Sequence, residues 1–384
     1  MANSLTNVIP QLLAQGLMAL RQQSIMPRLV NRSYDSLAAQ SGSTIDIPIP
    51  SAITANAVTP GTTSQAVTDL SPTKATITLD QWYEAAFNLT DEELKNVEEN
   101  SLMPMQASEA IKSLANNVDA FIMNLASSST NGISQNGGTA GTTPFATTLD
   151  AYLDARKELN NSAAPMDDRY CVINADAEAE ALSLEAFQNA AWRGDTDGII
   201  RGQIGEKLGA TWVVDQNVQS HANSNGTPTG FLANGGGGFA AGLTYIDVDT
   251  GSNAPVVGDI FTVAGDTPAH VVTAVAAGGD YRLTISPALG AAVDNNAALT
   301  FLASAGTGFV RNLLFHRDAF AFASRPLEDG MMVGGDNVMS NVDPISGLSL
   351  RVEVTREFKQ TRVSYDILYG GALVRPQLAA LILG

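Results

Sequence analysis

The residues of this chain that could do chemistry are few, and their spacing works against them. Asp247-Val248-Asp249-Thr250-Gly251 opens like a calcium loop, but Gly258 stands where that loop needs its bidentate Glu. A plain Asp-rich turn fits better. His221, His270 and His316 lie too far apart for ligand spacing, which argues against a dedicated metal site. Cys171, the single cysteine, excludes an intrachain disulfide, and its apolar setting Tyr170-Cys171-Val172-Ile173 reads as a buried, inert thiol. Gly202, Gly205 and Gly209 have the wrong spacing for a dinucleotide loop, and no helix signal or Lys follows the run Gly235–Gly238. Glu92-Glu93 and Glu98-Glu99 read as solvated helix faces. No nucleophile elbow, metalloprotease helix or paired-cysteine motif occurs. The reading is therefore not an enzyme, with no catalytic, cofactor-binding or metal residue to nominate.

Charge narrows the partners. Over 384 residues, 39 acidic against 21 basic side chains leave −18, with only six Lys, so phosphates are not gripped here. No basic segment precedes the first apolar stretch and no long apolar run follows. A protein made in a cytoplasm, without signal peptide or membrane span, is expected.

The elements that must position any site are easier to read. Ile9, Leu12, Leu13, Leu17 and Leu20 recur at near-helical spacing, and Pro27 is expected to stop that helix. Ile45, Ile47 and Ile49 alternate with Asp46, Pro48 and Pro50, and Lys74–Leu79 alternates again. The polar span between them predicts a long two-stranded arm that needs something to lie on. Thr90 with Glu93 forms a capping box, and Ile111, Leu114, Val118, Phe121, Ile122 and Leu125 predict a long helix from about Leu102 to Ala126. Helices are expected at 149–160, 175–190 and 197–208, with strands at 169–173 and 211–215.

From 236 to 308 the chain holds no Glu or Lys, and short β-branched runs recur between Gly, Asp, Asn and Pro. Thr244–Val248, Ile260–Val263, His270–Val275, Leu283–Ile285 and Leu299–Leu302 predict a small β-barrel or sandwich inserted into an α/β body. Leu350–Val354 and Val363–Ile367 predict a late hairpin.

This order of elements resembles the major capsid protein of tailed bacteriophages, the Hong Kong 97 fold, in its podovirus branch. Ser43–Pro50 resembles the start of the family's extended loop and Trp82–Asn88 its return. Leu114–Asp119 resembles the spine helix, Asn312–Ala321 the re-entry into the axial domain, and Gly258–Gly265 with Leu283–Pro287 strands of an inserted domain. The resemblance implies an α+β fold divided into an N-terminal arm (1–42), an extended E-loop arm (43–89) and a peripheral domain with its spine helix (90–144). The rest divides into a first axial part (145–235), an inserted β-domain (236–308) and return strands (309–384). It implies self-assembly into pentamers and hexamers of an icosahedral head enclosing double-stranded DNA without sequence-specific contacts, in a virion whose protein is synthesised in the host cytoplasm.

The chain opens directly on the arm, so the resemblance implies a separate scaffolding protein. A portal protein and a decoration protein are further partners of such shells. No cofactor is implied, and Lys74, alone among lysines in the arm, gives little support to crosslinking. Arg28, Arg32, Ile47, Lys74, Trp82, Arg351 and Arg356 are the residues expected at contacts between subunits. An encapsulin-like cargo shell and a β-rich tail or surface-binding protein are the alternatives.

Overall fold

Pro27 opens a helix instead of closing one. The computed structural model describes residues 24–34, 44–51, 53, 55, 57, 60, 70–91, 102–126, 132–188, 204–249, 251–276, 281–302, 309–327, 337–343 and 347–384. Within them α1 (Met26–Leu29) carries Pro27 in its first turn. Proline is tolerated there because the first N–H groups of a helix have no partner within it. The periodic apolar set from Ile9 to Leu20 lies outside the described residues. Asn31 then runs along the body, its N–H donating to Phe320 O at 3.1 Å and its O accepting from Phe322 N at 3.0 Å.

The arm follows. Strands β1 (Thr44–Ile49) and β2 (Thr73–Thr78) pair antiparallel from Thr44↔Thr78 to Ile49↔Thr73. Ile45, Ile47 and Ile77 bury one face, and the body supplies the floor through Ala321, Ala323 and Val374. Strand β3 (Gln81–Thr90) belongs to the body, pairing ten residues of a late strand, although its alternation resembles the arm's. In α2 (Leu102–Asn124), Ile111, Leu114, Ala115, Val118 and Ile122 are buried at helical spacing, as the periodicity predicts.

The large sheet begins with β4 (Asn136–Gly137). After α3 (Asp150–Asn161) come β5 (Arg169–Ile173), α4 (Ala175–Ser183) and α5 (Glu185–Gln188). Asn174 caps α4 by accepting from Ala177 N at 3.1 Å. The helix expected at 197–208 is not continued over its described part. Leu208 and Gly209 take φ of 54° and 77° between β6 (Glu206–Lys207) and β7 (Ala210–Val214). Positive φ at both central residues suits a tight hairpin and no helix.

After β8 (Ser220–His221) the chain leaves this sheet and returns to it at β14. Between lie β9 (Tyr245–Val248), β10 (Ile260–Val263), β11 (His270–Ala276), β12 (Tyr281–Ser286) and β13 (Leu299–Phe301), in spatial order β13-β10-β11-β12-β9. Residues 231–234 bond both edges: Leu299 N donates to Phe231 O at 3.0 Å, and Asn234 N to Asp247 O at 2.7 Å. That closes the ring into a small barrel around Phe231, Phe261, Val272, Leu283 and Phe301. Phe231 and Ala233, which precede residue 236, are part of this core, whereas Ile260 and Val271 join the main one.

β14 (Phe309–His316) runs between β5 and a terminal strand, and a 3-10 turn at Arg317–Ala319 leads into β15 (Phe320–Arg325). β16 (Val338–Val342), β17 (Ser349–Glu357) and β18 (Gln360–Leu373) form the second sheet with β15 and β3. β19 (Ala379–Leu383) closes the large sheet as its β14 neighbour. Gly370 of β18 has a specific duty: a Cβ there would stand 2.1 Å from Thr78 O, so only glycine lets the base of the arm lie this close.

Candidate assembly surface

The sheet β16-β17-β18-β3 has two unlike faces, because side chains alternate along each strand. One face packs on α2: Tyr369 sends its hydroxyl to Asn117 Oδ1 at 3.0 Å and meets the Phe121 ring edge-on at 5.2 Å. The other face is polar and carries the charges. Register places Glu84, Asp366 and Arg351 opposite one another across three strands. Arg351 grips Asp366 through two nitrogens, Nε to Oδ1 at 3.0 Å and Nη2 to Oδ2. The Trp82 indole N–H donates to the same carboxylate at 3.1 Å while its ring stays 62% exposed. Arg362 reaches Glu84 at 2.7 Å beside them. At the hairpin end Arg356 pairs with Asp91 at 2.5 Å and holds that carboxyl below its ordinary range. Phe358 tips the hairpin at 87% exposure.

The arm repeats the pattern on a smaller scale. Lys74 Nζ meets Asp46 at 2.8 Å and Thr76 adds a hydrogen bond at 2.9 Å; both depress the Asp46 carboxyl. Ile47 is 3% exposed within its own chain. Arg28 donates to Ser24 O at 2.6 and 2.9 Å, and Arg32 is half-buried. The seven residues expected at subunit contacts therefore do not form one cluster. Trp82 and Arg351 share a carboxylate, Lys74 and Ile47 share the arm, and the other three stand apart. Asp366 and Glu84 were missed by sequence reasoning. The alternation that found Arg351 also places an acidic partner opposite it, once the strands are put in register.

A second polar knot ties the barrel to the large sheet. Asp259 Oδ1 sits 2.8 Å from His221 Nε2, while its Oδ2 accepts from Asn223 Nδ2 and Val256 N at 2.9 Å. Arg311 of β14 is buried beside them. Burial pushes its guanidinium down to about 10, and Asp259 opposes that shift. His270 and His316 are also buried, each in a different place. Cys171 lies in β5, wholly buried, and burial pushes its thiol up. Among the described residues no group of three or more His, Cys, Asp or Glu side chains is placed to hold a metal ion. No helix among them is long and apolar enough to cross a membrane.

Comparison with known proteins adds a family likeness over part of the chain, and a fold. The family model described as phage capsid protein matches residues 72–252. A chain of Mycobacterium phage Che8 is similar in structure, at 19% identity and a TM-score of 0.51, over 94% of this chain and 90% of that one. The capsid structure of cyanophage P-SCSP1u also aligns, at 14% identity and a TM-score of 0.48, over 93% and 87%. No curated protein matches the sequence.

Proposed function

We infer that this chain is a phage capsid protein with the Hong Kong 97 fold and builds the head shell of a tailed bacteriophage by assembling with copies of itself. The observation that carries this is the capsid family match, which runs from the arm strand β2 through the body into the barrel. The arm and the charged sheet face support it. A two-stranded arm buries only one row of apolar side chains and exposes Asp46, Lys74 and Thr76 on the other. Such a face suits a neighbour's strand or charges better than it suits a core.

Within that reading the subunits gather as pentamers and hexamers, with Trp82 and Arg351 on one contact face and Lys74 and Ile47 on the arm. Arg28, Arg32 and Arg356 serve neighbouring contacts. The role is structural rather than enzymatic. A separate scaffolding protein guides assembly, a portal protein occupies one vertex, and a decoration protein is a further partner. The barrel, entered and left through the large sheet, is an inserted domain on the outer face that makes assembly accurate. Double-stranded DNA is enclosed without being gripped, which a chain of net charge −18 suits.

Sedimentation velocity and negative-stain electron microscopy of the expressed chain, alone and with a scaffolding protein, test the reading. Closed particles of uniform diameter are expected. Deleting the barrel should lower their yield or widen their size distribution, and unaltered heads at normal yield would remove its assembly role.

A further inference from the structure

We propose that Asp119 is a proton-operated latch that holds the strap Ser24–Asn31 onto the long helix, so that the strap loosens as the solution goes from acid to neutral. The inference concerns the single chain and does not rest on the shell reading.

Asp119 lies on α2 and is wholly buried. Its carboxyl accepts from Ile25 N at 3.0 Å and from Met26 N at 3.0 Å. No side chain of the strap caps α1, so a carboxyl more than ninety residues away takes that place. The strap is fastened at its other end to β15 by the two Asn31 backbone bonds and by Asn31 Nδ2 to Asp318 at 2.7 Å. Met26 and Val30 between them are buried in the main core. Asp119 therefore sets one of two anchor points.

The charged groups facing Asp119 come from two other elements. Arg28 on the strap favours the ionised carboxyl, but its guanidinium also grips Ser24 O. Asp215, just past β7 on the large sheet, is buried and opposes ionisation. Asp215 Oδ1 accepts from Asn217 N at 2.8 Å, while its Oδ2 is buried with no hydrogen-bond partner among the described residues. Asn217 links onward to Asn116 of α2 at 3.3 Å. Two buried carboxyls thus share one junction of strap, helix and sheet.

Burial, the largest influence, raises the Asp119 carboxyl to about 7, against the pull of the two N–H bonds. Asp215 is raised as well, chiefly by burial. A carboxyl raised in the docked state binds its proton more tightly there than when the strap is open. Docking is therefore strongest at acid pH, weakens as pH climbs from the ordinary carboxylate range to about 7, and levels off above it.

Amide hydrogen exchange of the full-length chain, corrected for intrinsic rates, reads this directly. Protection of the Met26 and Val30 amides should be about ten-fold lower at pH 8 than at pH 6, while that of Leu314 in β14 holds. Asp119→Asn should flatten the profile. If that variant does not fold, Asp215→Asn serves instead: with its neighbour's charge gone, the fall should move to lower pH. Flat protection in the wild type would overturn the proposal. So would an unchanged fall in Asp119→Asn, an equal loss at Leu314, or a midpoint that Asp215→Asn leaves in place.

Discussion

The large sheet and the arm both use alternating or continuous runs of apolar residues, and they put them to opposite uses. In β19 all five residues, Ala379–Leu383, are buried, because β14 and β4 flank the strand and its own chain covers both faces. In β1 only alternate residues are buried, and the floor beneath them is three small or branched side chains of the body. The first arrangement is complete within one chain. The second leaves a row of polar groups exposed and, among the described residues, no third strand beside the pair, which is a liability in a lone protein and an asset in one that assembles. Removing apolar groups should therefore act on folding in one region and on assembly in the other.

The sharpest test of that contrast lies at the sheet's centre. Leu314→Ala in β14 empties a fully buried site and should cost about 2–5 kcal/mol by denaturant unfolding of the unassembled chain, abolishing particles as a consequence. Arg351→Ala strands the Asp366 carboxylate, only 5% exposed, with the Trp82 N–H as its remaining described donor from this group. A loss of about 1–3 kcal/mol is expected, less than for Leu314 because the face is partly wet. Ile47→Ala should fall at or below the low end of the core range, about 2 kcal/mol, yet reduce particle yield several-fold. If its stability loss equals that of Leu314→Ala, the arm is core and the contrast fails. Lys74→Ala, at an exposed pair, should leave the melting temperature where it was and act only on assembly, more visibly at low salt than at high.

How far the chain could be read in advance follows the same division. The barrel strands were legible, since each short β-branched run between turn residues became a strand within a residue or two of its expected limits. The hairpin β17–β18 and the long helix were legible through their periods. Strand β3 was misread because an edge strand of a body and a strand of an arm alternate alike; only its ten-residue pairing with β18 tells them apart. Pro27 misled because proline both ends helices and begins them. Asp119, Asp259 and Asp366 were illegible as fixed points. Each is buried by partners tens to hundreds of residues away, and a lone Asp in a sequence looks the same whether solvated or clamped.

The central claim is that this chain closes on copies of itself. Cryo-electron microscopy of the expressed protein, alone and with a scaffolding protein, tests it most directly. The account predicts closed icosahedral shells whose five-fold and six-fold clusters fit this subunit, with the β1–β2 arm and the Trp82–Arg351 face covered by neighbours. A monodisperse monomer or small dimer under every condition would contradict it.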